Sequence, residues 1–531
     1  MARFQVRFVL VALAIGWAVD LLFFKQPLGL NFLLWVLLVL AGGIFLVVSE
    51  KKKLAWQSWI LAAVVLAAGA LPFLRMDGIT RVAGVLLALA GLIFLADTAL
   101  TGSWLLYRIV DWVSMVFRLI GAAFSRPPEL FKPAEGEEPS SRLTFKSTLK
   151  LLGRILLGLM LALPVVLVLG SLLSSADQIF SDQIAQLLEN LRLEKIVEYG
   201  MRLVYVAVLA YLFAGLLLHT ARPRGAASRA DPQRAAIKPF LGFLETNIIL
   251  GAVLVLFLAF VMVQFRYLFG GETHLQAMGL TYSEYAVSGF EELVMVAVLS
   301  LGLYLVLATI GKRETPGKMR TFTLLTALLL VLVMVILASS WMRLRLYENA
   351  YGFTQLRTYT HFFIPWLGAL LLATLGLEII RRRGHFAVAL VAAAIGFGLT
   401  LGLVNVQGFI VRQNIARAEA GKPLDMDYLT QLSWDAVPVL YDEYLKLAPG
   451  SEAYDKVSLS LSCFAAELPD QPTHDWRGTT FSEIQARKIL QDPQKHQIWN
   501  RYPTRWNETD RVYEIITDSK VIPCSMFEFW D

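Results

Sequence analysis

Long apolar stretches separated by short polar gaps occupy most of the chain up to about residue 406, and a finer, mixed pattern follows. A helix needs roughly 20 apolar residues to cross a hydrocarbon core about 30 Å thick. On that measure the pattern predicts about eleven membrane spans, near 7–24, 29–48, 55–74, 80–99, 151–173, 200–219, 241–265, 290–310, 321–340, 361–380 and 386–406. Between the fourth and fifth spans, WLLYRIVDWVSMVFRLIGAAF sets Arg108, Asp111 and Arg118 on one helical stripe and apolar residues elsewhere. That is the pattern of a helix lying in the interface plane, as a cover for the bundle end or as a lipid sensor. The following RPPELFKPAEGEEPSS is too polar and Pro-rich to bury a core and reads as a linker. After the fifth span, Phe180, Ile184, Leu187, Leu188 and Leu191 recur at helical spacing, which predicts a helix resting on the bundle. Gly396, Gly398 and Gly402 in the last span leave room for a neighbouring helix.

Beyond Arg412 the chain reads as a small, mainly helical domain. Asp425 is placed to cap a helix through Tyr428, Leu429 and Leu432, and Pro438 to break or kink it. Val457, Leu461, Phe464, Ala465 and Leu468 predict a helix over about 452–468. Thr480 with Glu483 forms a capping-box pattern opening another helix, and the final stretch alternates enough for a short strand or two. The resulting expectation is an all-α polytopic membrane protein divided into residues 1–103 (spans one to four), 104–150 (interfacial helix and linker), 151–411 (spans five to eleven) and 412–531 (an extramembrane domain).

Composition strengthens the membrane assignment. Of 531 residues 56% are hydrophobic and only 17% charged, and the mean hydropathy is +0.58. The net charge of +6 does not indicate nucleic acid, because the basic residues lie in short runs between apolar segments. Those runs alternate. Lys51–Lys53, Arg222–Lys238, Lys312–Arg320 and Arg381–Arg383 fall in one set of gaps, and far fewer cations fall in the other. The excess marks the cytoplasmic side, so the N-terminus, read as a retained signal anchor, faces the cytoplasm and the C-terminal domain lies outside. Two cysteines, Cys463 and Cys524, both fall in that domain, where an oxidising compartment permits a disulfide that sequence alone leaves open.

The candidate chemistry gathers in three polar segments, 270–293, 341–362 and 405–438. They contribute Glu272, His274, Tyr282, Glu284, Tyr285 and Glu291, then Arg343, Arg345, Tyr347, Glu348, Tyr351 and Arg357, then Asn405, Arg412 and Asn414. Carboxylates and guanidiniums at a membrane boundary are tolerated when paired, so Arg343, Arg345, Arg357 and Arg412 are expected to meet Glu272, Glu284, Glu291 and Glu348 in a clamp on the outer helix ends. His274 and His361 lack a complete ligand set, so no metal is expected. HExxH, CxxC, the phosphate loop and GxSxG are absent, and no catalytic residue or cofactor is assigned.

The stretches TYSEYAVSGFEEL, RLYENAYGFTQLR and NIARAEAGKPLDMDYLTQLSWDAVP resemble motifs of a bacterial multi-pass inner-membrane family known as a domain of unknown function, of the DUF4173 type. The resemblance runs from the fifth span to about Leu490. It implies a bacterial inner membrane and transfers no residue roles.

Three functions stand against each other: an envelope sensor, regulator or scaffold; a transporter or flippase; and an enzyme acting on a lipid-linked substrate. Asp20, Asp97, Arg154, Glu245, Glu291 and Glu378 fall near span ends, whereas coupled transport usually needs ionisable groups at mid-membrane. The first outer loop, KQPLGLN, has no carboxylate. The non-enzymatic reading is therefore preferred, with the bilayer and an envelope protein or lipid headgroup as partners and the oligomeric state open.

Overall fold

A computed structural model describes residues 3–131, 193–222, 239–268, 289–469, 474–494, 496–499, 502–508, 512–517 and 521–524. Ten helices among these residues are long and apolar enough to cross a membrane. They match ten of the expected spans; the eleventh, 151–173, lies outside the described residues, as does the expected amphipathic helix around Phe180–Leu191. The chain is an all-α polytopic membrane protein, with one small sheet near its C-terminal end among the described residues.

The contacts divide the chain into two units. One comprises Met1–Phe24, Gly42–Lys52 and Leu119–Arg222. In it α1 (Arg3–Phe23) lies along α6 (Leu193–Ala221). Along the sequence, the α-helices among the described residues between these two are α2 (Leu30–Ser49), α3 (Trp56–Leu74), α4 (Gly78–Thr98) and α5 (Ile109–Ser125). Asp20 of α1 and Arg202 of α6 form a two-pronged pair at 2.6 and 2.9 Å, and Arg222 pairs with Glu50 at 2.6 Å. Arginine suits such positions because its planar fork matches a carboxylate while its stem stays in apolar surroundings.

The other unit comprises Lys25–Ala41, Lys53–Arg118 and Pro223–Asp531. In it α3 and α4 form a tight hairpin turned by Arg75–Asp77. The bundle continues with α7 (Phe243–Leu268), α8 (Phe290–Ile310), α9 (Pro316–Tyr351), α10 (Gln355–Ile379) and α11 (Phe386–Val404). Leu329, Leu330 and Val333 of α9 lie at its centre, fully buried with Leu371 of α10 and Leu250 of α7. The glycine face of α11 receives side chains as expected: Cβ atoms at Gly396, Gly398 and Gly402 would collide with Trp366, Leu87 and Leu71.

The helix α9 corrects the expected boundary. At 1.5 Å per residue its 36 residues run to about 54 Å, well beyond a hydrocarbon core about 30 Å thick. Apolar composition ends near Ser340, but the helix carries on to Tyr351. The second polar segment is therefore a helix end, a turn at Gly352 and the start of α10, not a loop between spans. Gly352 has φ +88°, and a Cβ there would strike Arg417 and Asn414.

In α5 the polar stripe takes form: Arg118 pairs with Asp97 of α4, which also accepts from the Tyr107 hydroxyl at 2.7 Å, while Val113, Val116 and Phe117 stay exposed. Burial and the Asp97 carboxylate push the Tyr107 phenol up to about 12.

Past Asn405 come α12 (Val406–Glu419), α13 (Met426–Thr430), α14 (Val437–Tyr444), α15 (Glu452–Glu467), α16 (Phe481–Leu490) and α17 (His496–Trp499). Asp425, Ser451 and Thr480 cap α13, α15 and α16 through the N–H groups of Tyr428, Tyr454 and Glu483. Pro438 does not break a helix; it sits in the first turn of α14, where its missing N–H removes no hydrogen bond. The strands β1 (Thr504–Asn507), β2 (Val512–Ile516) and β3 (Val521–Cys524) form an antiparallel sheet in the order β1-β2-β3. A disulfide joins Cys463 of α15 to Cys524 of β3, with Cα atoms 5.3 Å apart, and ties the sheet to the helices.

One hydrophobic cluster joins Val406, Ile410, Val411 and Ile415 of α12 to Trp434, Val437, Leu461 and Phe464, and reaches Phe353, Tyr359 and Leu401 at the ends of the spans. The helix α12 thus supplies part of the C-terminal core.

Candidate functional site

The densest buried polar group lies where the C-terminal residues meet the α3–α4 turn. Asp435 follows Trp434 into a short 3-10 turn ahead of α14, is 1% exposed, and points at that turn. Its Oδ2 accepts the backbone N–H of Met76 at 2.7 Å and of Asp77 at 3.0 Å, together with the Ser433 hydroxyl at 3.0 Å. The Ser482 hydroxyl at the start of α16 lies between Asp435 Oδ1 and the Leu74 carbonyl. Asn405 donates to the Asp435 carbonyl at 2.9 Å, and Arg75 places a guanidinium nitrogen 3.9 Å from Oδ1 while donating to the Gly402 carbonyl at 2.8 Å. One carboxylate therefore gathers α3, α4, α11, α14 and α16.

Asp77 stands beside it, 3% exposed. Its Oδ1 caps α4 by accepting from Thr80 N–H at 2.9 Å and also accepts from the Tyr359 hydroxyl; its Oδ2 has no hydrogen-bond partner among the described residues. Burial, and next the neighbouring Asp435, push the Asp77 carboxyl above the usual carboxylate range.

A second group surrounds the α9–α10 turn. Asn414 holds Phe353 from both sides, accepting from its N–H at 2.8 Å and donating to its carbonyl at 2.9 Å. Arg417 donates to the Asn349 and Ala350 carbonyls at 3.2 and 3.1 Å, satisfying acceptors left open at the end of α9. The Tyr428 hydroxyl accepts from Gln355 N–H, and burial pushes that phenol up to about 12. Glu348, 1% exposed, takes His361 at 3.0 Å, and Trp341 covers the imidazole at 4.4 Å between ring centroids.

The expected residues sort accordingly. Glu272, His274, Tyr282, Glu284 and Tyr285 lie outside the described residues. Asn405 and Asn414 act as structural brackets, and Glu348 takes a histidine where an arginine was expected. Arg357 donates to the Gly352 carbonyl at 2.7 Å and stacks over Tyr347 at 3.7 Å, with Phe290 against the same ring. Arg343 is buried beside Gly289, whereas Glu291, Arg345, Tyr351 and Arg412 are exposed. Asp77, Tyr359, Asp435 and Ser482 were not singled out from the sequence, although Asp435 is a lone carboxylate in the otherwise apolar run LSWDAVPVL.

Among the described residues no cluster of three or more His, Cys, Asp or Glu side chains could hold a metal. Both oxygens of Asp435 and the Oδ1 of Asp77 are taken by backbone N–H groups and hydroxyls, which makes the arrangement a fastening.

Residues 36–443 match a family model described as Domain of unknown function (DUF4153). A family of unknown function was expected; the match is to DUF4153 and not to the DUF4173 type, and it begins in α2, well ahead of the fifth span. No curated protein and no solved structure matches the chain.

Proposed function

Since the chain belongs to the DUF4153 family, to which no reaction is attached, we propose that it is a non-enzymatic sensor, regulator or scaffold of the bacterial inner membrane, with its C-terminal domain outside the cytoplasm. The observation that carries this reading is the Asp435 fastening. A carboxylate that binds the backbone of a span-connecting turn makes the domain and the spans one mechanical element, so a partner or lipid headgroup engaging the domain would act directly on the bundle. The Cys463–Cys524 bond supports an oxidising location, since disulfides persist outside the cytoplasm. The Lys and Arg asymmetry between alternate gaps supports the same orientation.

The test is thiol labelling of intact cells with a membrane-impermeant reagent, before and after reduction. A Lys312→Cys variant in a background lacking Cys463 and Cys524 marks the cytoplasmic side. Labelling of Cys463 or Cys524 only after reduction, with the inner membrane intact, is the expected result. Labelling that requires a broken inner membrane would place the domain in the cytoplasm and overturn the proposal.

A further inference from the structure

Residues 474–482 pass directly beneath the ends of the spans. Leu30 N–H donates to the Thr479 carbonyl at 3.1 Å and Asn31 N–H to the Arg477 carbonyl at 2.8 Å, where α2 begins. Asp475 N–H donates to the Gln26 side chain at 3.3 Å, and the Ser482 hydroxyl lies 3.0 Å from the carbonyl of Leu74, the last residue of α3. These contacts hold the segment at the level where α2 begins and α3 ends.

At that height the chain exposes large apolar side chains: Trp476 is 58% exposed, Phe481 40% and Ile484 47%. The other face of α16 is accounted for by Ser482, Glu483, Ala486 and Leu490, all buried against the domain. A surface helix in water turns a mainly polar face outward; this one turns Phe481 and Ile484 outward beside Gln485, with Lys488 exposed one turn further on. The Phe481 ring lies 6.4 Å from that of Phe73 in the last turn of α3, so the exposed apolar surface continues that of a membrane-spanning helix. Trp and Phe with a lysine one turn away are the side chains that suit the headgroup boundary, where aromatic rings sit at the polar edge and a lysine stem extends its ammonium to phosphate.

We propose that residues 474–488 form a monotopic foot, with Trp476, Phe481 and Ile484 seated at the boundary of headgroups and acyl chains in the leaflet nearest the C-terminal domain, and Lys488 on a phospholipid phosphate. The fastening at Asp435 then fixes the domain to the bundle, and the foot fixes it to the lipid surface. The inference does not depend on which side of the membrane the domain occupies.

The test uses full-length protein with the Cys463–Cys524 bond intact, carrying a nitroxide at Ile484→Cys or at Trp476→Cys, in vesicles of phosphatidylethanolamine and phosphatidylglycerol. Both positions are exposed, so neither label disturbs the core, and each is read separately. Collisions with oxygen should exceed those with a water-soluble nickel chelate at both positions, and the order should reverse at Glu452→Cys, at the exposed start of α15. A nickel-dominated signal at either position would overturn the foot. Protection from both reagents would overturn it too, because protein would then be covering the surface.

Discussion

The two ends of α10 hold buried carboxylates in different ways. Near its end, Glu378 is fully buried and takes Arg383, five residues along the chain, as a two-pronged partner, with the Thr323 and Tyr304 hydroxyls donating at 2.8 and 2.9 Å. Near its start, Tyr359 donates to Asp77, and Asp77 lies beside Asp435; here both Asp435 oxygens and the Asp77 Oδ1 take backbone N–H groups and hydroxyls, and the Arg75 guanidinium stands 3.9 Å from Asp435. The first is a neutralised helix end, the usual means of tolerating a charge near lipid. The second spends two carboxylates on holding backbone from a distant part of the chain. That difference identifies the Asp77–Asp435 end as the place where the residues past Asn405 are fastened to the α3–α4 turn.

The largest effect is expected from Asp435→Ala. It leaves the buried N–H groups of Met76 and Asp77 without an acceptor and loosens Ser482, and at about 1–3 kcal/mol per stranded group the loss should be on the order of 3–5 kcal/mol. Thermal unfolding in detergent should shift down strongly, and protease should release the C-terminal domain earlier. An unchanged melt would remove the fastening from consideration. Glu378→Gln should cost less, about 1–2 kcal/mol, because the amide keeps the Tyr304 and Thr323 hydroxyls and Arg383, 23% exposed, can turn toward water. Equal losses from the two variants would erase the distinction between the ends.

How far each end was legible follows from sequence distance. The spans could be read because a bilayer imposes a length and a composition on every helix that crosses it. Glu378 with Arg381–Arg383 is visible as a charged span end. Asp435 and Asp77 are separated by 358 positions, and nothing local marks Asp435 as the acceptor for a turn so far away. Asn405 and Asn414 were picked out as polar residues in a distinctive segment, yet whether they bind a ligand or backbone is decided by folding, which gave them Asp435 and Phe353. Likewise the pattern marks where α9 leaves the apolar layer but not where the helix ends, because LRLYENAY forms a helix as readily in water as LLLVLVMV does in lipid.

The smallest effect sharpens the comparison most, because only one end contains two adjacent carboxyls. Asp77 is pushed above the ordinary carboxylate range, first by burial and then by Asp435. A carboxyl raised in this way contributes stability that is complete below its unfolded pKa and is lost as pH rises through the folded value. In Asp77→Asn the side chain is neutral at every pH, and the amide oxygen still caps Thr80 and accepts from Tyr359. The variant should therefore melt higher than the wild type at pH 7–8, with the advantage shrinking as pH falls toward 4, where the wild-type carboxyl is itself protonated. A difference in melting temperature that stays constant from pH 4 to 8, read against Glu378→Gln under the same conditions, would show that the Asp77 carboxyl titrates alike in the folded and unfolded protein and that neither burial nor Asp435 raises it.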